Sequence, residues 1–149
     1  MSRDLTLPEL ERIVEDVLNS KTSLHAVQSA PETRSLRRAF RRAGAFAPLV
    51  DRAPVFSKET LLHALYQACQ MPASFGFNWD ALEDALRDFS WIKASAYVLL
   101  FDDYSVLQER APEVARTFEA IVRDVNAERL EAGRALLTVV VLGRNDSAG

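Results

Sequence analysis

A chain of 149 residues with 48% hydrophobic and 26% charged side chains holds enough apolar material for one domain of ordinary size, which excludes a disordered tail, and 5 Gly and 6 Pro exclude a collagen-like or linker-dominated chain. The formal charge of −3 is unevenly placed: residues 1–56 carry nine basic and seven acidic groups (net +2), and residues 57–142 carry eight basic and thirteen acidic groups (net −5), so the larger part repels nucleic acid and attracts a basic partner. No apolar run approaches the roughly 20 residues that span a bilayer, and MSRDLTLPELERIVEDVLNS lacks the basic start and unbroken apolar stretch of a secretory signal, so the expectation is a cytoplasmic protein with no membrane role.

In chain order, Pro8 suits the first turn of a helix in LPELERIVEDVLNS, with Leu10, Ile13, Val14 and Leu18 as its apolar stripe. Thr22–Gln28 reads as a short strand broken by Pro31. Residues 32–43 read as a basic helix closed by Gly44, with Leu36, Ala39, Phe40 and Ala43 on one side and Arg37, Arg38, Arg41 and Arg42 on a solvated face. Ala45–Val50 is a second strand candidate, ended by Asp51 and Pro54. Ser57 looks like the N-cap of SKETLLHALYQACQ, which buries Leu61, Leu62, Leu65 and Cys69 and packs His63. Met71–Phe77 is a loop, and Asn78 caps a helix from Trp79 to about Arg87.

The unbroken apolar runs AYVLLF (96–101) and ALLTVVVL (135–142) mark strands buried on both faces, separated by a long helix that Pro112 opens and Gly133 closes. Trp91, Tyr97 and Tyr104 read as core or edge packing, and Asp102–Asp103 as the end of a strand. Alternation of strands and helices predicts an α/β fold, a small, mostly parallel sheet of three to four strands covered by helices. Residues 143–149 read as a disordered tail.

A lone cysteine and two histidines, His25 and His63, give neither an internal disulfide nor metal-ligand spacing, and no Gly-rich phosphate loop or GxSxG motif occurs; no cofactor is expected. The informative stretch is MPASFGFNWDALEDALRDFSW, residues 71–91. On a wheel of about 100° per residue, Trp79, Leu82, Leu86 and Phe89 share the inward side. Asp80, Glu83, Asp84 and Arg87 share the other, with Asp80 and Asp84 one turn apart. Like charges so spaced cost an isolated helix roughly 0.2–0.5 kcal/mol, and the helix N-terminus offsets part of this for Asp80. Such a face is either a solvated surface or a decoy for a basic site.

At LLHAL (61–65), Met71–Pro72, FGFNWDALEDALRDFSW (75–91) and YVLLFDD (97–103) the sequence resembles the barstar family of intracellular ribonuclease inhibitors. Residues 45–142 follow the family's order of elements, and residues 1–44 read as an N-terminal extension of helix, strand and basic helix packed on that domain. The resemblance implies no catalysis. It implies that the loop and acidic helix plug the cleft of a basic ribonuclease or nuclease-type toxin, with carboxylates standing in for RNA phosphates. Asp84 matches the family's main phosphate mimic and Asp80 a second contacting acid. Asn78 and Gly76 match loop positions that shape the surface, with Phe75 and Trp79 beside them.

The sequence also departs from the pattern. Ser74 stands where the family has a tyrosine that lies over the ribonuclease, Glu83 stands where it has a tryptophan, and its later tryptophan falls near Phe89 rather than Trp91. These changes point away from barnase itself and towards another basic nuclease. A further acid from the long helix, Asp124 or Glu128, would complete the surface. Two alternatives use the same residues. One is a metal-dependent enzyme built on Asp80, Glu83 and Asp84; the other is an acidic regulatory module for a basic nucleic-acid-binding protein.

Overall fold

The computed structural model describes residues 6–27 and 32–143; the expected tail at 144–149 lies outside them. Helix α1 (Leu7–Ser20) starts at Thr6, whose hydroxyl accepts the Glu9 N–H, and ends at Lys21 in the left-handed region (φ 55°). Strand β1 (Leu24–Val27) leads to α2 (Thr33–Arg42), and Gly44 (φ +89°) reverses the chain. A Cβ there would meet Ser95 Oγ at 2.8 Å, so this turn needs glycine on two counts.

Strand β2 is shorter than its apolar run suggests: only Ala45–Phe46 is regular, and Leu49 adds an isolated bridge to Leu100. Pro48 lies between them. Its carbonyl accepts from Leu100, but it has no N–H to give the ladder. Helix α3 (Lys58–Ala68) opens with the expected cap, in which Ser57 and Thr60 exchange side-chain to backbone hydrogen bonds in a capping box. Helix α4 (Trp79–Asp88), strand β3 (Ala96–Phe101), helix α6 (Pro112–Glu131) and strand β4 (Leu137–Leu142) fall where the sequence predicts them. Between β3 and α6 a further helix, α5 (Tyr104–Arg110), was not anticipated; Tyr104 and Leu107 are its buried residues.

The four strands form one all-parallel sheet in the order β1-β4-β3-β2. The fold is thus α/β with a small parallel sheet under helices, as the sequence predicts. The connection from β1 to β2 runs one way across the sheet, and those from β2 to β3 and β3 to β4 run back. A constant right hand therefore requires α2 on the opposite face from α3–α6. The packing follows. On one face Leu10, Val14, Leu36 and Phe40 meet Val98, Leu100, Val140 and Leu142. On the other, Leu61, Leu65, Leu82, Leu86, Phe118 and Val125 meet Leu99, Phe101 and Val139. Alternate residues of β3 serve opposite layers, which is why its whole run is apolar. The acidic helix therefore lies across the sheet from α1 and α2.

His63 is exposed rather than packed inside, its ring tilted against Phe77 at 4.6 Å. Cys69 is fully buried, and burial pushes its thiol up to about 12.

Candidate functional site

The site is built on α4, and its N-terminus is fixed by the expected cap. Asn78 Oδ1 accepts the Ala81 N–H at 2.7 Å and its Nδ2 donates to the Gly76 carbonyl at 3.3 Å, so one side chain ties the helix to the preceding loop. A Cβ on Gly76 would sit 3.3 Å from that Nδ2 and 3.4 Å from Ala81 Cβ, so glycine keeps the loop close to the cap. Below the loop, Phe75 stacks on Tyr66 (6.0 Å) and meets Phe77 edge-on (4.9 Å).

The far end of α4 is held by a residue that sequence reasoning missed. Arg129 of α6 is 4% exposed. Its Nη1 donates to the carbonyls of Leu86, Arg87 and Asp88 at 3.4, 2.8 and 3.4 Å, and its Nε to Ala135 O at 2.6 Å. These acceptors include the free carbonyls of the last turn of α4, and the cation complements the negative end of the helix dipole. Burial holds the guanidinium below its ordinary pKa, against a partial lift from Tyr97.

Between these anchors the apolar side of α4 is closed and its other side is open. Leu82 and Leu86 are buried. Asp80 is exposed, and the Asp84 side chain is 78% exposed. Gly76, Asn78 and Ser74 are also exposed, so six residues of one loop and helix share this surface once Glu83 (34% exposed) is included. Trp79 is half-buried against the core, with Lys58 Nζ 5.3 Å from its ring centre.

Two expected contact residues do not reach the surface. Phe75 is 9% and Phe89 1% exposed. Phe89 ends α4 in the left-handed region (φ 45°), stacked on Trp91 at 4.9 Å and tilted against Tyr97 at 4.4 Å. Both rings support the site from within, and a partner cannot touch them without unpacking the core. The aromatic side chain that the loop does present is Phe77, 37% exposed at φ 51°. Its place between Gly76 and Asn78 was the available signal.

Arg87 changes the charge of the acidic face. Its guanidinium lies 2.9 Å from Asp84 Oδ1 and 3.5 Å from Glu83 Oε1, and its Nε donates to Glu128 of α6. The Glu128 bond is the largest of several effects that raise its pKa. Of the two candidate acids on α6, Glu128 therefore joins the surface through Arg87. Asp124 is exposed and makes no ion pair with α4 among the described residues. Asp80, Glu83, Asp84 and Asp88 together outnumber Arg87, so α4 stays net negative. Among the described residues no group of three or more His, Cys, Asp or Glu is placed to hold a metal ion, and no helix is long and apolar enough to cross a membrane.

A search of curated proteins returned no match. The family model described as Barstar (barnase inhibitor) matches residues 48–141, which is more than half of the chain and spans α3 to β4 with the acidic helix in between. The chain belongs to the barstar family.

Proposed function

We propose that this protein is a cytoplasmic inhibitor, of the immunity-protein type, that occludes the active site of a basic ribonuclease or related toxin and performs no catalysis of its own. The observation that carries the reading is the open, net-negative face of α4, with Asp80 and Asp84 one turn apart on a helix anchored at both ends. A ribonuclease cleft is cationic because it must hold RNA phosphates. Exposed carboxylates at a fixed spacing accept charge-assisted hydrogen bonds from its Arg and Lys side chains in the way phosphates do. The rigid cap at Asn78 and the clamp at Arg129 limit the ordering cost that binding would otherwise carry.

Asp84 is the central phosphate mimic in this reading, with Asp80, Asn78, Gly76, Ser74, Glu83 and Trp79 around it. Ser74 and Glu83 give a contact surface with less aromatic area and more charge than the family pattern, which fits a basic nuclease or toxin other than barnase. The test is a ribonuclease assay with and without the protein, using the basic nuclease retained on an immobilised wild-type column from the producing cells, with barnase in parallel. Wild type inhibits the retained nuclease and Asp84→Ala does not. Full inhibition by the double variant Asp80→Ala/Asp84→Ala would remove the phosphate-mimic reading.

A further inference from the structure

The arginines of α2 and the loop after β2 are not used by the acidic face. A groove of about 440 Å³ opens where the β2 edge of the sheet meets α3. This is the size of pockets that hold small ligands, roughly 300–1,000 Å³. Phe46, Leu49, Val55 and Ala64 supply apolar wall, and Arg37 and Arg52 line the same groove. None of the groove residues belongs to the acidic face of α4.

Arg37 is half-buried, and its Nε donates to the Ala47 carbonyl at 2.9 Å. That bond fixes the guanidinium plane and leaves its two terminal nitrogens without a protein partner among the described residues. Arg52 is exposed, and no carboxylate among the described residues forms an ion pair with either arginine. Burial, and then the charges of Arg52 and Arg41, hold Arg37 below its ordinary pKa. Guanidinium forks so placed match oxyanions in geometry as well as charge.

A peptide strand added to the sheet edge would need free backbone groups along β2. The Val50 N–H and the Pro48 carbonyl face inward to Leu100, and of the outward groups the Ala47 carbonyl is already taken by Arg37, which removes an acceptor that an added strand would use. The observations therefore favour a small ligand. We propose that this groove binds a small organic anion, with its phosphate or carboxylate head between Arg37 and Arg52 and its apolar body against Phe46 and Leu49.

Isothermal titration of the full chain with phenyl phosphate and with benzoate, at ionic strength matched with NaCl, tests this. The expected result is saturable one-to-one binding of at least one of them, and the tighter of the two identifies the head group. Arg52→Gln weakens it about tenfold or more, the loss of one charge-assisted contact of roughly 1.4 kcal/mol. Arg37→Gln weakens it as well but also frees the Ala47 carbonyl; Arg52, which holds no bond among the described residues, gives the cleaner variant. Asp84→Ala binds as wild type, so the result stands apart from the inhibitor reading. Absence of saturable binding with both probes, or wild-type affinity in Arg52→Gln, would overturn the proposal.

Discussion

Replacing Asp84 with alanine separates binding from folding. Its side chain is open to solvent, and its one bond among the described residues is the 2.9 Å pair with Arg87. Exposed pairs of this kind contribute about 0.2–1 kcal/mol, so urea unfolding of Asp84→Ala should differ from wild type by less than about 1 kcal/mol while inhibition is lost. Asn78→Ala is the opposite case. It removes the cap of α4 and should cost about 1 kcal/mol in the same urea experiment, with a weaker inhibitor as the by-product of a frayed first turn. Asp51 gives a pH prediction. Its carboxylate accepts the Asp102 and Asp103 N–H groups at 2.9 and 2.6 Å, yet burial outweighs these bonds and raises its pKa. A pKa raised on folding means that this group favours the fold at pH below its unfolded value, and that the contribution is lost as pH climbs through the raised folded value. The stability of wild type relative to Asp51→Asn, compared between pH 3 and 7, should therefore fall as pH rises. At this scale Asp80, Asp84 and Asn78 were legible from wheel spacing and cap chemistry. The wheel also put Phe89 inward, as found, against its match to a contacting tryptophan; the burial of Phe75 was not legible, because Tyr66 of α3 decides it from elsewhere in the chain. The Arg87–Glu128 bond joins residues 41 apart and needed the packing of α4 on α6.

Helix α4 holds its shape because both ends are satisfied from outside it. Arg129→Met keeps most of the side-chain volume but strips donors from Ala135 and from the last carbonyls of α4. Hydrogen bonds to a charged group are worth about 1.5–3 kcal/mol, so urea unfolding should show a loss of about that size, and a smaller one would mean that water replaces the guanidinium. Arg87→Ala acts on charge instead. It leaves the acidic face more negative by one unit, so association with a basic nuclease should be faster at low salt and more steeply salt-dependent by stopped-flow. Element boundaries were clearest where chemistry punctuates them. Ser57 starts α3, Pro112 opens α6, and the φ +68° turn at Gly133 follows its end. The β2 strand was overread because its apolar run was weighed above Pro48, which lacks the N–H that the ladder needs. The α5 helix was missed because seven residues carry too little periodicity to stand out.

Across the whole molecule the sheet divides two tasks. The face carrying α1 and α2 buries Val98, Leu100, Val140 and Leu142, and the face carrying α3–α6 presents the acidic surface. Deleting residues 1–44 would uncover the first of these layers and remove the strand paired with β4. Each exposed Å² of apolar surface costs about 25 cal/mol, so the truncated chain should bind a hydrophobic dye and lose cooperative melting. A truncated chain that melts as sharply as wild type would show that the acidic domain carries its own core. The central claim, that α4 substitutes for an RNA backbone, is tested most directly by competition. The retained nuclease is incubated with a labelled, uncleavable RNA analogue and titrated with wild type, Asp84→Ala and Asp80→Ala/Asp84→Ala. Stoichiometric displacement by wild type, weakened by the single variant and abolished by the double variant, is the predicted result. Wild-type protein and RNA analogue bound together on one nuclease would contradict it.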